Sequence, residues 1–382
     1  MFVCKVLFFF SLFMIFYVYA GYPFCVWILA RMIHNSVDKA KYEPTVTILI
    51  SAYNEEKYIG QTIANKLQLD YQKSKLEIIV ISDESTDKTN EIINQFNNQN
   101  VSLLLQKPRS GKTSALNLAI PHAHGEILVF SDANSIYAPD ALKQIVANFH
   151  DPEVGYVTGK MIYTDSDGTP IGDGCSAYMK YENFLRSMET QIGSVVGVDG
   201  GIDAMRKDIH SKLNSDQLSD FVQPLKVVKK GFRVVYESSA LLKEDSLQES
   251  RDEYRMRVRV TLRALWALKD MDCLLFGRGG FLFSWQLWSH KVLRYFCFVF
   301  LGIAFAANLL LVSNDPIFSA FLACQLVCYT GAVLSPVFVH YGRDFTLLRL
   351  LYYFMLLNVA SLHATIKFLQ GKKQVIWSPR KG

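Results

Sequence analysis

Charge is scarce in this sequence of 382 residues. Asp, Glu, Lys and Arg make up 20% of it, where a soluble domain of average make-up carries about 25%. The charge present nearly cancels, 40 basic against 35 acidic side chains for a net +5, with a pI of about 8.6. Nucleic-acid binders usually show a clustered basic face and a pI above about 9, so no nucleic-acid partner is expected. Cys-x-x-Cys pairs are absent, the seven cysteines lying scattered and mostly in apolar stretches. They read as small hydrophobes in a reducing setting, not as disulfides or a zinc site. Neither a Gly-x-x-x-x-Gly-Lys-Ser/Thr loop nor a Gly-x-Gly-x-x-Gly turn occurs, which disfavours phosphate-loop hydrolases and dinucleotide-dependent dehydrogenases. Composition also excludes the disordered, collagen-like and coiled-coil classes.

The low charge is segregated. Val6 to Ile33 carries no charge before Arg31, long enough for the ~20 residues that cross a hydrocarbon core. Three further apolar blocks cover about Tyr295–Val312, Ile317–His340 and Leu347–Leu369, and the stretch between the first block and Leu293 has ordinary soluble character, with charges and turn residues throughout. A cleaved signal ending at Tyr17-Val18-Tyr19-Ala20 fits less well than a retained anchor, because hydrophobicity resumes at Phe24, Val26 and Ile28. Arg31, Lys39 and Lys41 follow the first span against Lys5 before it, which places the polar domain in the cytoplasm. Lys372, Lys373, Arg380 and Lys381 place the tail there too. Three clean crossings would leave that tail outside, so one C-terminal block is expected to be interfacial or re-entrant. The segment Phe276–Lys291, with Trp285, Trp288, Arg278, His290 and Lys291, suits an amphipathic stretch at headgroup depth. The division expected is a membrane helix over 1–34, a cytoplasmic catalytic domain over 45–250, interfacial helices over 251–292, membrane helices over 293–370 and a tail over 371–382.

Within the polar domain short apolar runs alternate with helical patterns. Strands are expected at Val46–Ser51, Ile78–Ser82, Val101–Leu105, Ile127–Ser131, Tyr156–Ile162 and Arg233–Tyr236. Helices are expected at Glu56–Leu67, Lys88–Phe96, Thr113–Ala123, Asp140–Phe149, Phe221–Lys230 and Glu253–Leu268. This is an α/β pattern with a largely parallel sheet covered on both faces, and such sheets bind ligands beyond the carboxyl ends of their strands. Those ends carry Ser51-Ala-Tyr-Asn-Glu-Glu56, Ser82-Asp-Glu-Ser-Thr-Asp87, Lys107-Pro-Arg-Ser-Gly-Lys112 and Ser131-Asp-Ala-Asn-Ser135. Turns favour Asp, Asn and Ser anyway, but four consecutive polar strand ends point to a nucleotide diphosphate. Asp83 can accept hydrogen bonds from a base or ribose. Arg109 and Lys112 can meet phosphate as fork and point charge. Asp132 and Asn134 are hard oxygen donors suited to magnesium or manganese.

In this order, Tyr53-Asn-Glu55, Asp83, Gly111-Lys112 and Asp132-Ala-Asn134 resemble family 2 glycosyltransferases of the GT-A fold, over roughly Thr45 to Glu244. The flanking membrane segments resemble the polysaccharide-synthase branch. The resemblance implies that Asp83 contacts the donor base, with Tyr53 and Glu55 in the same pocket, and that Asp132 faces the donor sugar and diphosphate. Asn134 stands where the family has a second aspartate, which removes a negative charge from the metal shell. Gly197-Val-Asp-Gly-Gly-Ile-Asp-Ala-Met-Arg206, with Gly200 and Gly201, resembles the glycine-rich segment near the acceptor; a tight turn between strands reads equally well. Asp220 resembles the catalytic base of inverting members, its alternative being a helix cap. Arg259, Arg263 and Trp266 share a helical face where processive synthases carry Gln-x-x-Arg-Trp. No Gln lies three before Arg263 and the Trp is displaced, so the face suits either the diphosphate or anionic headgroups.

The implied activity is transfer of a sugar from a nucleotide-diphosphate donor to a growing polysaccharide or lipid-linked glycan at the bilayer, with a divalent cation and polysaccharide-export proteins as partners. A non-catalytic scaffold of a polysaccharide-synthesis complex is the rival class. Asn308, Gln325, Asn358 and His363 within the apolar blocks would line a glycan path or make interhelical hydrogen bonds.

Overall fold

The computed structural model of the protein describes residues 1–97, 99–164, 174–245, 250–343 and 345–374; Arg380 and Lys381 of the tail lie outside them. Its centre is an eight-stranded sheet of β1 (Val46–Ala52), β2 (Leu76–Asp83), β3 (Val101–Gln106), β4 (Ile127–Asp132), β5 (Ile136–Tyr137), β6 (Val154–Thr164), β7 (Ile202–Arg206) and β8 (Arg233–Asp245). The order is β3-β2-β1-β4-β7-β6-β8-β5. The first four strands are parallel, as the buried aliphatic runs lead one to expect; β7 reverses direction against β4 and β6. Alternate residues of the central strands feed opposite cores. Leu49, Ile79, Ile81 and Leu128 face one way, and Ile48, Ile50, Ile78, Val80 and Val129 the other.

Helices α1 (Phe2–Ile33), α2 (Ile59–Leu67), α3 (Thr89–Asn94), α4 (Lys112–Ala119), α5 (Ala141–Ala147), α6 (Gly174–Ile192), α7 (Ser219–Lys229) and α8 (Ser250–Asp270) follow in chain order. The helices α9 (Phe281–Tyr295) and α10 (Cys297–Leu311) are bent 57° to each other; α11 (Pro316–His340) and α12 (Thr346–Leu369) complete the chain. By length and apolarity α1, α11 and α12 can each cross a membrane, and the α9–α10 pair counts as a fourth crossing if it is one broken span. Two π-helical turns, Tyr17–Gly21 in α1 and Trp288–Val292 in α9, meet each other. Tyr17 Oη lies 2.8 Å from Ser289 Oγ and accepts from Trp285 Nε1 at 2.8 Å. Such turns break the regular ladder and let polar side chains converge.

The far ends of these helices are also fixed. Phe8 of α1 packs with Leu311 and Phe318, so the α10–α11 turn lies beside the N-terminus. The chain then returns: α12 lies along α8, with His363 Nδ1 2.9 Å from Tyr254 Oη and Phe368 edge-on to Trp266 at 4.7 Å. Trp266 Nε1 donates to Lys372 O at 2.9 Å and Lys373 pairs with Asp216. Lys372 and Lys373, at the start of the tail, thus sit on the same side as the sheet. Asn308 of α10 and Gln325 of α11 bond each other at 2.9 Å and His363 meets α8, whereas Asn358 donates within α12 to Phe354 O and keeps a buried Oδ1 without a partner.

The sequence expected neither β5, β7 nor α6, and ended β8 at Tyr236 instead of Asp245. It also read His290 as part of a headgroup-level segment. In the structure His290 is buried between Glu189 (2.6 Å) and Glu182 (3.2 Å), beneath the π turn.

Candidate active site

The donor side is built where β1, β2 and β4 end. Asp83 closes β2 and is 1% exposed. Its Oδ1 accepts from Gln106 Nε2 at 2.5 Å and Ser110 N at 2.8 Å, and its Oδ2 from Gly111 N at 2.9 Å. The carboxylate therefore shapes the 106–112 loop from beneath. Gly111, at φ +87°, caps the start of α4 in a conformation that suits glycine. Arg109 Cζ stacks 3.4 Å from the Tyr53 ring centroid, with its Nε 3.9 Å from Asp83 Oδ2. Glu55 is half-buried beside them, its N–H bonded to Thr89 Oγ1 at 2.8 Å. Tyr53, Glu55, Asp83 and Arg109 thus come together, but Asp83 is turned inward to the loop and Arg109 lies over the aromatic face.

Asp132 ends β4 with a carboxylate 37% exposed, and Lys112 Nζ donates to its Oδ1 at 2.6 Å. Burial works against the Lys112 ammonium, yet Asp132, Asp220 and Asp203 outweigh it and raise its pKa. Asn134 is half-exposed on the next turn. That turn is clamped by a polar face of α2: Thr62 Oγ1 donates to Ala133 O at 2.7 Å, Asn65 Nδ2 to Tyr137 O at 3.0 Å, and the fully buried Lys66 to Ser135 O at 2.6 Å. Burial drives the pKa of Lys66 down, against the nearby Glu244 carboxylate. Among the described residues no three His, Cys, Asp or Glu side chains converge to cage a metal. One carboxylate and one amide oxygen do fit a magnesium-like ion whose other ligands are diphosphate oxygens and water.

The acceptor side adjoins it. Asp220 lies in the first turn of α7, after an N-cap at Leu218, and makes no capping hydrogen bond. Its Oδ1 is buried without a partner. Gly200, at φ +86°, packs under it, and a Cβ there would stand 2.5 Å from Asp220 Oδ2. A Cβ on Gly201 would meet Glu244 Oε1 at 3.0 Å. Asp220, Lys112 and Gly200 line one cleft together with Asp203, Tyr156 and His210. Arg263 Nη2 donates to Gln217 O at 2.7 Å close to Asp220 and Arg259, while Trp266 faces α12 and the tail. The three α8 residues are thus split between cleft and tail.

Asp203, Lys66 and Gln106 escaped the sequence reading. Asp203 left the clearest trace, an acid inside the apolar run Ile202-Asp-Ala-Met205.

Comparisons with known proteins agree with this geometry. Residues 47–213 match the family model described as Glycosyl transferase family 2. The poly-beta-1,6-N-acetyl-D-glucosamine synthase of Staphylococcus aureus (strain COL) is 30% identical over 203 residues, covering 51% of this chain and 48% of that one. The probable glycosyltransferase YdaM of Bacillus subtilis (strain 168) is 27% identical over 237 residues, covering 58% and 56%. The chain spans about half the length of the curated relatives it matches. Among solved structures, the mannosyltransferase PcManGT from Pyrobaculum calidifontis, in complex with GDP-Man and Mn2+, superposes with a TM-score of 0.73 at 22% identity over 96% of this chain and 99% of that one. This last likeness is one of fold. Residues 47–213 thus match a family 2 glycosyltransferase domain, on an α/β fold of the GT-A kind that the mannosyltransferase shares.

Proposed function

We propose that the protein transfers a sugar from a nucleotide-diphosphate donor to a growing polysaccharide or a lipid-linked glycan at the cytoplasmic face of the membrane, with inversion. The single observation that carries this reading is the place of Lys112, which lines one cleft with Asp220 and donates to Asp132 Oδ1 at 2.6 Å. Tyr53 and Arg109 would flank the base, and Asp132 with Asn134 would hold a divalent cation, which supplies charge to the leaving diphosphate when bound. Lys112 is placed to meet the same charge from the protein side. Asp220, with an oxygen committed to no other group, would take the proton of the acceptor hydroxyl. The relatives' printed activities support a glycan product: one is a synthase of an N-acetylglucosamine polymer.

Basic residues after α1 and the tail's seat on the catalytic domain support a cytoplasmic sheet, with α1, the α9–α10 pair and α11 crossing and α12 lying at the surface. The displaced Trp266 leaves the processive motif incomplete, so single addition and polymerisation are both open to test. Full-length protein in nanodiscs is to be screened with radiolabelled UDP-N-acetylglucosamine and GDP-mannose, and the product sized. Asp220→Asn should cut turnover by about 10²-fold or more, the usual scale of general-base catalysis, with donor affinity retained. Full turnover in that variant would overturn the assignment.

A further inference from the structure

The cleft holds a second carboxyl group that the proposed mechanism leaves idle. Asp203 sits in the middle of β7, 1% exposed, with Phe130 of β4 and Thr158 of β6 as its strand partners. It lines the same chamber as Asp220, and each of the two carboxylates has one buried oxygen, Oδ1, without a hydrogen-bond partner. Buried polar atoms are nearly always paired, so two orphan oxygens in one chamber are a pairing held in reserve. A carboxylate so buried costs several kcal/mol unless it is compensated or carries a proton.

We propose that Asp203 is a positioning residue for the base: it holds a proton in the chamber behind Asp220, and its ionisation adds the negative charge that draws the acceptor's proton toward Asp220. This rests on the reading of Asp220 as base. Burial pushes the Asp203 carboxyl up to about 7, with Asp220 and Asp199 adding to the rise and donors from Thr158 and Tyr156 opposing it. The other groups facing it from each packed element are accounted for. Lys112 of α4 pairs with Asp132 of β4. Asp199 pairs with Arg186 of α6 at 2.6 Å. Burial raises the Tyr156 hydroxyl well above its ordinary value, and burial with Lys230 and Lys226 holds His210 down at about 4. Neither Tyr156 nor His210 therefore supplies a titration near neutrality.

The proton count is simple. Below the step Asp203 is a neutral acid and Asp220 alone receives the acceptor proton. Above it Asp203 is ionised, and the proton arriving on Asp220 enters a chamber with one more negative charge.

Two measurements on the full-length protein test this. The first is infrared titration of the protonated-carboxyl stretch, which needs no substrate. The wild type should lose such a band near pH 7, Asp203→Asn should lack that transition, and Tyr156→Phe should move it to higher pH. The second is the pH–rate profile with the active donor. The wild type should rise several-fold across the same step, Asp203→Asn should give a flat profile, and Asp203→Glu should restore the rise. A merely structural role would lower the rate at every pH and leave the step in place, and that result would overturn the proposal. An infrared transition surviving unchanged in a folded, nucleotide-binding Asp203→Asn protein would do the same. If Asp220→Asn keeps full turnover, the base assignment fails first, and the substrate-free titration still reports on Asp203.

Discussion

The expected donor and acceptor sides treat their buried carboxylates in opposite ways. On the donor side Asp83 is fully spent, its two oxygens taken by Gln106, Ser110 and Gly111. On the acceptor side Asp203 and Asp220 each keep an oxygen with no partner. A satisfied buried carboxylate rigidifies the backbone that it binds; an unsatisfied one stores a demand for a proton or a donor. Under the proposed function the first behaves as scaffold and the second as the reactive half. The 106–112 loop is preorganised by hydrogen bonds already made, while on the proposed reading an acceptor hydroxyl would complete those of Asp220.

The sharpest way to break this contrast is to exchange the consequences. Asp220→Asn removes chemistry and should spare binding. Asp83→Ala should do the reverse. It leaves the Ser110 and Gly111 amides unpaired at a cost of about 1–3 kcal/mol, so nucleotide affinity by calorimetry should fall roughly tenfold, since about 1.4 kcal/mol is a factor of ten. The thermal midpoint should fall with it. An Asp83→Ala protein that binds nucleotide as well as wild type would mean that the 106–112 loop is held by something other than this carboxylate.

Gly200 comes next in size. At φ +86° an L residue is strained, and its Cβ would press on Asp220 Oδ2. Gly200→Ala should therefore cost about 1–2 kcal/mol of left-handed strain and push the base aside. Turnover should fall up to about tenfold with a smaller loss of donor affinity, because the one donor-side contact given for this position is the long 3.5 Å bond from Lys112 Nζ to Gly200 O. Equal losses in kcat and in donor affinity would show that the halves are coupled more tightly than the hydrogen bonds suggest.

The donor side was largely legible in the sequence because its parts sit at the ends of buried parallel strands, where an apolar run stops at Asp83 or Asp132 and marks its own boundary. The acceptor side was less so. β7 is five residues long and interrupts its apolar run with Asp203, so its alternation reads as a loop. α6 was invisible for a related reason. Its inward face mixes Leu185 and Ile192 with Glu182, Arg186 and Glu189, and charges neutralised only by distant partners such as His290 and Asp199 erase the apolar period that announces a helix. β8 runs past Tyr236 through Glu237-Ser-Ser239 because it pairs with both β6 and β5, a tertiary fact that no local pattern contains.

The smallest expected effect concerns the tail. Lys373 pairs with Asp216 just before the base and lies over Trp266 at 4.9 Å, which invites the idea that the tail holds the base loop in place. The loop has firmer supports. Gln217 O accepts from Thr113 Oγ1 at 2.8 Å and from Arg263 Nη2 at 2.7 Å, and Gln217 Nε2 donates to Asp270 Oδ2 at 2.9 Å. The Lys373 side chain is 48% exposed, so screening by water and salt limits its pair to under about 1 kcal/mol. Lys373→Ala should lower turnover less than about threefold and should leave the pH–rate step of the base chamber where it was. Raising the ionic strength should mimic the substitution in the wild type and do little in the variant. A tenfold loss in Lys373→Ala, reversed by Lys373→Arg, would transfer the loop's support from Thr113, Arg263 and Asp270 to the tail, and with it make the expected acceptor side depend on α12, which carries that tail.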